Sequence, residues 1–296
     1  MNGFRRMVFR QWHSGITLVL VVIASVIALP HWGSSPLFAQ LAPTQPSPNQ
    51  AMTDYTPPFT VGVFGGIARN SHLGEFRSLP NVPTCCVQKY EPVSNFSYTA
   101  GVFAEVPIIS IFSLSGRAGY APMNVRFSQT EYIIVPSITN SPYTLPIEHS
   151  IDAALTALTL DAGVKVRVFA NFALELGASS NFFILAKARQ AETIASDSPV
   201  RFLDQSGKLA TERNVYEGAI PSIQPQMRLY GGFEGDLPIV RRYPGDPVGI
   251  WSLGIFGRFY YPLSSISTQM NWTITSLQAG MSLKARLPYL SLTPYQ

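Results

Sequence analysis

The sequence predicts an all-β chain, a transmembrane antiparallel up-and-down β-barrel of about eight strands, on three features. Charged residues make up only 13% of the 296 positions while aromatics reach 12%, against roughly a quarter charged in ordinary soluble domains. Apolar residues alternate with small and polar ones in segment after segment, the period-two pattern that sends successive side chains to opposite faces of a strand. The links between these segments alternate between long and short classes, as do the external loops and periplasmic turns of a membrane barrel.

The amino terminus has a basic stretch with Arg5, Arg6 and Arg10, an apolar run from Ile16 to Leu29, and a polar stretch ending in Leu37-Phe38-Ala39. This is the signal-peptide pattern, with cleavage expected after Ala39; an uncleaved helical anchor is the alternative, for which the run is short. The organisation read from the sequence is a signal peptide over 1–39, a flexible Pro-, Gln-, Thr- and Ser-rich lead-in over 40–58, and one barrel domain over 59–296. No later run reaches the roughly 18 apolar residues of a membrane helix. The formal net charge of +4 falls once the leader is removed. With no basic stripe, zinc spacing or RNA motif, no nucleic-acid partner is expected.

Alternation places strands at 59–69, 96–107, 111–128, 148–168, 172–187, 224–238, 249–263 and 271–287. In the second, Tyr98, Ala100, Val102, Ala104 and Val106 oppose Ser97, Thr99, Gly101 and Glu105. In the third, Phe112, Leu114, Ala118 and Tyr120 oppose Ser113, Ser115, Arg117 and Gly119. The hydrophobic phase of the fourth changes near Ala157 and Leu158, where a β-bulge is expected. Three long links, over 70–95, 129–147 and 188–223, alternate with tight ones at 108–110 and 169–171.

The direction of the alternation separates a membrane barrel from a soluble one. A lipocalin-like barrel turns its apolar face inward and its charges outward. Here the polar face is crowded with glycine and carries one or two charges per strand, while the other face is broad and aromatic. Phe59, Tyr98, Phe112, Tyr120, Trp251, Phe259, Tyr261 and Trp272 fall near strand ends, where an interfacial girdle needs them. The polar face, read as the lumen, gathers Glu105, Arg117, Asp161, Lys165, Arg167, Glu175, Arg228, Glu234, Asp236, Arg258 and Lys284. An eight-stranded barrel has an interior just wide enough for such side chains to fill. The expectation is therefore a plugged lumen whose charges pair, because an isolated buried charge is costly.

Two histidines lie beyond the leader, His72 and His149, both expected near the outer rim. Asp152 follows His149 on the same strand but, by parity, on the opposite face unless the backbone bulges. Serine nucleophile elbows, HExxH and P-loop patterns are absent, so no enzyme, cofactor or metal site is expected; a rim hydrolase using His149 and Asp152 is the rival from that class. Cys85 and Cys86 are adjacent in the first long link. Export permits a disulfide between them; two free thiols, or pairing with another chain, are the alternatives.

Several stretches resemble the outer-membrane protein β-barrel domain family of small single-chain bacterial barrels. They are Pro83-Thr84-Cys85-Cys86, Leu114-Ser115-Gly116-Arg117-Ala118-Gly119-Tyr120, His149-Ser150-Ile151-Asp152 and Ser276-Leu277-Gln278-Ala279-Gly280. The resemblance covers about Phe59 to Leu287 and implies no shared catalytic residues. It implies export to the bacterial outer membrane, with outer-membrane lipid and the insertion machinery as partners. Such barrels often finish on an aromatic residue, whereas this chain ends Thr293-Pro294-Tyr295-Gln296. The functional expectation is a structural or surface-interaction protein acting through its external loops on an extracellular partner. A narrow porin-like channel, or a soluble periplasmic β-domain binding an apolar ligand, are the alternatives.

Overall fold

Antiparallel pairing accounts for nearly all the regular structure among the described residues. The computed structural model describes residues 59–83, 89–109, 111–135, 143–194, 198, 200–203, 207–240 and 250–287. The expected leader and lead-in, and Cys85 and Cys86, lie outside them. The strands are β1 (Phe59–Gly74), β2 (Val93–Pro107), β3 (Phe112–Pro122), β4 (Val125–Val135), β5 (Tyr143–Phe169) and β6 (Phe172–Ile194). They continue with β7 (Phe202–Leu203), β8 (Leu209–Ala210), β9 (Glu212–Ala219), β10 (Gln226–Val240), β11 (Trp251–Pro262) and β12 (Trp272–Leu287).

Eight of these strands close a ring in the order β1, β2, β3, β5, β6, β10, β11, β12, with β12 returning to β1 and the β5–β6 pairing completing it. The register fixes the barrel's shape. Cα partners run from Trp251 through Ala285, Val61, Ala104, Gly116, Ala162, Ala178 and Leu229 to Tyr261. One circuit thus returns to β11 ten residues along, from Trp251 to Tyr261. With strands about 4.8 Å apart and a rise of about 3.3 Å per residue, that shear tilts the strands by about 40°. A strand of about ten residues at this tilt spans about 25 Å, the height of a membrane barrel's apolar band.

Alternation sorts the side chains as expected. On β2, Tyr98, Val102 and Val106 stand outward and exposed while Thr99, Phe103 and Glu105 are buried inside. On β10, Met227, Leu229, Phe233 and Leu237 face out while Gln226, Arg228, Tyr230 and Glu234 face in. Phe112 and Trp251 point outward toward the end of the barrel that carries the short turns, and Tyr98, Tyr120, Phe259 and Tyr261 toward the end that carries the long loops. Trp272 departs from the expected girdle. It is fully buried inside the barrel mouth, because β12 presents its even-numbered residues to the interior.

The third expected strand is two elements, β3 and β4, divided after Pro122, which has no N–H to give to a ladder. Both pair with β5, β3 with its lower half and β4 with its upper half. Segments expected as loops are also ordered. β9 joins the upper part of β6, so that β4, β5, β6 and β9 form a four-stranded sheet rising beyond the barrel wall.

The expected bulge is present in the β5–β6 ladder, but in the other strand. Thr156 partners Leu185 and Ala157 partners Phe183, leaving Ile184 of β6 as the extra residue. β5 itself keeps its parity: Ile151, Ala153, Leu155, Ala157, Thr159 and Asp161 all point inward and are buried. The change of hydrophobic phase at Ala157 and Leu158 therefore marks a change in what fills the lumen.

Candidate functional site

The lumen has two storeys. The lower, at the turn end, is ionic. Lys165 of β5 reaches Glu105 of β2 and Glu234 of β10, the latter at 2.5 Å. Lys284 of β12 lies 3.1 Å from Glu234, 2.9 Å from Asp236 and 3.7 Å from Glu105. Arg286 pairs with Asp236 at 3.0 Å. Strand parity aims each of these groups at the axis, and the small radius of an eight-stranded barrel lets each ammonium join three strands: β5, β2 and β10 at Lys165, and β12, β2 and β10 at Lys284.

Above this lies a tier built on Glu175. Its carboxylate accepts from Ser115 Oγ at 2.6 Å, from Tyr230 Oη at 3.0 Å and from Arg258 Nε at 3.4 Å, and Arg117 binds it directly. Tyr230 stacks on Tyr260 with ring centroids 5.4 Å apart, and the Tyr260 hydroxyl donates to Asp161 at 2.9 Å. The Arg228 guanidinium sits 4.4 Å from the Tyr260 ring and donates to Ser179 at 2.7 Å. Glycine makes the room. A Cβ on Gly163 would fall 2.4 Å from the Tyr230 hydroxyl, and one on Gly177 2.7 Å from its ring. The glycine-rich inner face expected from the sequence is thus the seat of interior aromatics, which the alternation alone did not distinguish from girdle residues.

Of the lumen residues expected from sequence, Glu105, Arg117, Asp161, Lys165, Glu175, Arg228, Glu234, Asp236, Arg258 and Lys284 all converge in these two tiers. Arg167 is apart from them. It lines a void of about 20 Å³ at the turn-end mouth, with Asn171, Lys284 and Arg286 among its neighbours, room for about one water molecule.

The upper storey is apolar, which corrects the expectation of a polar lumen throughout. Phe127, Ile151, Leu155, Trp272 and Ile274 point inward from the wall, and Phe76, Leu79, Val82 and Tyr90 of the first long loop fold down among them. The Phe76 ring lies 5.3 Å from Trp272 and 5.4 Å from Phe127. Gln190 of β6 accepts the Leu79 backbone N–H at 2.8 Å and fixes the loop. The loop therefore acts as a plug. His72 is buried in this cluster and accepts from the Trp272 indole N–H at 3.3 Å. Burial lowers its pKa to about 3 despite an opposing contact with Asn95, so the ring is neutral.

The rim pair considered for hydrolysis is separated. Asp152 faces outward, 3.7 Å from Arg126, while His149 faces inward, 3.1 Å from Glu131 and 3.7 Å from Glu192. Glu192 is held by Arg213 at 2.6 Å and Asn214 at 2.9 Å. Burial alone would raise the pKa of Glu192, but these two hydrogen bonds and the Arg213 charge outweigh it and hold the carboxyl below its usual range.

No protein-family model matches the chain, and no curated protein matches it. Among solved structures it is similar to Ail, the attachment invasion locus protein of Yersinia pestis, at 9% identity and a TM-score of 0.33, over 77% of this chain and 99% of that one. It is also similar to a Pseudomonas aeruginosa FadL homologue, at 9% identity and a TM-score of 0.23, over 77% and 90% of the two chains. The class is defined by the chain's own geometry: a closed antiparallel barrel whose outer face is apolar and whose lower lumen is polar is an outer-membrane type β-barrel.

Proposed function

We propose that this chain is exported through its amino-terminal leader, inserts in the bacterial outer membrane with the turn end in the periplasm, and serves there as a closed barrel that presents an external surface. The observation that carries the closed-barrel reading is the pair of stacked seals. Long paired side chains fill the lower lumen, and the first loop fills the upper lumen with Phe76, Leu79 and Tyr90.

The surface role is supported by the sheet of β4, β5, β6 and β9. It carries large apolar side chains beyond the belt, with Tyr132 70% and Ile134 72% exposed on β4. Apolar groups facing water beyond the membrane are what a binding surface for an extracellular partner offers.

Conductance in planar bilayers tests this reading against the narrow-channel alternative. A closed barrel gives no steady single-channel steps across a membrane in which gel heat-modifiability shows it inserted. Reproducible ohmic steps would replace the closed reading with the channel one.

A further inference from the structure

The charges in the lumen do not sum to zero tier by tier. In the lower tier three cations, Lys165, Lys284 and Arg286, face three anions, Glu105, Glu234 and Asp236. In the upper tier three guanidiniums, Arg117, Arg228 and Arg258, face two carboxylates, Asp161 and Glu175. All three arginines are nine-tenths or more buried. A guanidinium cannot shed its proton to relieve the surplus, as a buried lysine can. The tyrosines beside it cannot supply the missing charge either, because the Tyr230 and Tyr260 hydroxyls are donors to Glu175 and Asp161.

The hydrogen-bond accounting points the same way. Arg117 Nε and Nη1, Arg228 Nε and Nη1, and Arg258 Nη1 are buried and meet no acceptor among the described residues. Buried acceptors in the same position are fewer here: Asp161 Oδ1 and Asn181 Oδ1. Water bridges could answer the donors but would leave the charge in place, in a compartment closed on its upper side by the apolar plug.

We propose that the upper tier of the lumen binds one small monovalent anion of the chloride class, held by Arg117, Arg228 and Arg258. One surplus charge asks for one negative charge. The close approach of Arg117 and Arg258 to the same oxygen of Glu175 favours a spherical ion over a branched oxyanion. Entry is from the turn end, where Arg167, Lys284 and Arg286 line the narrow void at the mouth. The site makes the barrel an anion-binding protein without making it an anion channel.

The test uses the full chain inserted in bilayers, dialysed into sodium gluconate and then titrated with chloride or bromide at constant ionic strength. The expected result is a saturable rise in melting temperature with both halides, whereas a general salt effect would favour the more strongly excluded ion over bromide. Arg258→Gln is expected to raise the half-saturating halide concentration about tenfold or more, since it removes a charge-assisted contact. Glu175→Gln, which enlarges the positive surplus, is expected to lower it. Bromide soaked into crystals of the wild-type chain is expected to give an anomalous peak among the three arginines, a readout independent of whether either variant folds. Equal melting temperatures in all three salts, an anomalous map without that peak, or halide dependence that ignores both substitutions would overturn the site.

Discussion

Lys165 Nζ lies 2.5 Å from Glu234 Oε2, joining β5 to β10 across the barrel axis, and the same ammonium binds Glu105 of β2. One lysine thus ties three strands that are not neighbours in the ring. Lys165→Met is expected to cost about 3 to 5 kcal/mol, because it removes one of the two ammoniums shared by the buried carboxylates Glu105 and Glu234 and leaves Lys284 alone to balance them. Urea unfolding in bilayers checks the figure. Adding Glu105→Gln and Glu234→Gln to the variant should restore part of the loss, and a triple variant no more stable than the single one would show that the network's charges are not what couples the strands.

Leu283 and Leu229 both face outward, but at different depths. Leu283 lies near the middle of the β12 stretch from Leu277 to Leu287, whereas Leu229 is close to the loop-end limit of β10. Arginine at Leu283 is therefore expected to cost about 2 to 4 kcal/mol, and at Leu229 about 1 kcal/mol or less. Equal costs in reversible folding experiments would displace the belt from where the register and tilt put it.

Gly163 and Gly177 sit against the Tyr230 ring. Gly163→Ala is expected to destabilise by about 1 to 3 kcal/mol through overpacking, with the Tyr230 to Glu175 hydrogen bond displaced. A Gly163→Ala, Tyr230→Leu double variant relieves the contact with the tyrosine, though not the 2.7 Å approach to the Leu176 backbone oxygen, so a double-mutant cycle should show a coupling that recovers part of the cost. Additive effects would mean that the glycine serves the backbone and not the ring.

These positions show how much was legible in the sequence. Period-two alternation over Tyr98 to Val106 and Met227 to Leu237 located strands and assigned faces, since a strand's parity is rigid. Charged residues on the inner face could be grouped because a narrow lumen leaves them nowhere else to go. Parity does not say what the lumen holds at each height. The apolar upper storey therefore read as a phase change at Ala157, and Trp272 read as a girdle residue. Both errors have one source, the first loop. Its Phe76, Leu79 and Tyr90 enter the mouth through contacts with residues far away in sequence, such as Gln190 and Trp272, and no local pattern encodes that. The extension of β5 and β6 beyond the wall was missed for a similar reason: its hydrophobicity serves the plug and the external sheet, where the inside-out rule of the belt no longer holds.

Trp272 now becomes the test of the plug. Trp272→Ala removes a fully buried ring that packs on Phe76, Phe127 and His72, and is expected to cost about 3 to 5 kcal/mol. Faster amide exchange should follow in residues 75–83. The barrel should nevertheless stay non-conducting, because the ionic tiers below are untouched. Conductance on opening the plug alone would place the barrier in the loop and not in the lower lumen.

The same plug should respond to acid, and the sign follows from two groups outside the belt. His72 has its folded pKa depressed to about 3 from an ordinary value of 6.5. The unfolded or opened state therefore takes up the proton first, and stability falls as pH drops below about 6.5 toward 3. Glu192 is also depressed, from 4.5, so its contribution is present above the ordinary carboxylate range and is lost as pH falls through its folded value. Both act in one direction: the mouth loosens in acid, His72 first. Amide exchange in residues 72–83, followed from pH 7 to pH 4, should accelerate beyond the intrinsic chemical trend. In His72→Asn the earlier part of that acceleration should vanish while the part below about pH 4.5 remains. An unchanged profile in the variant would mean that the buried imidazole does not control the opening.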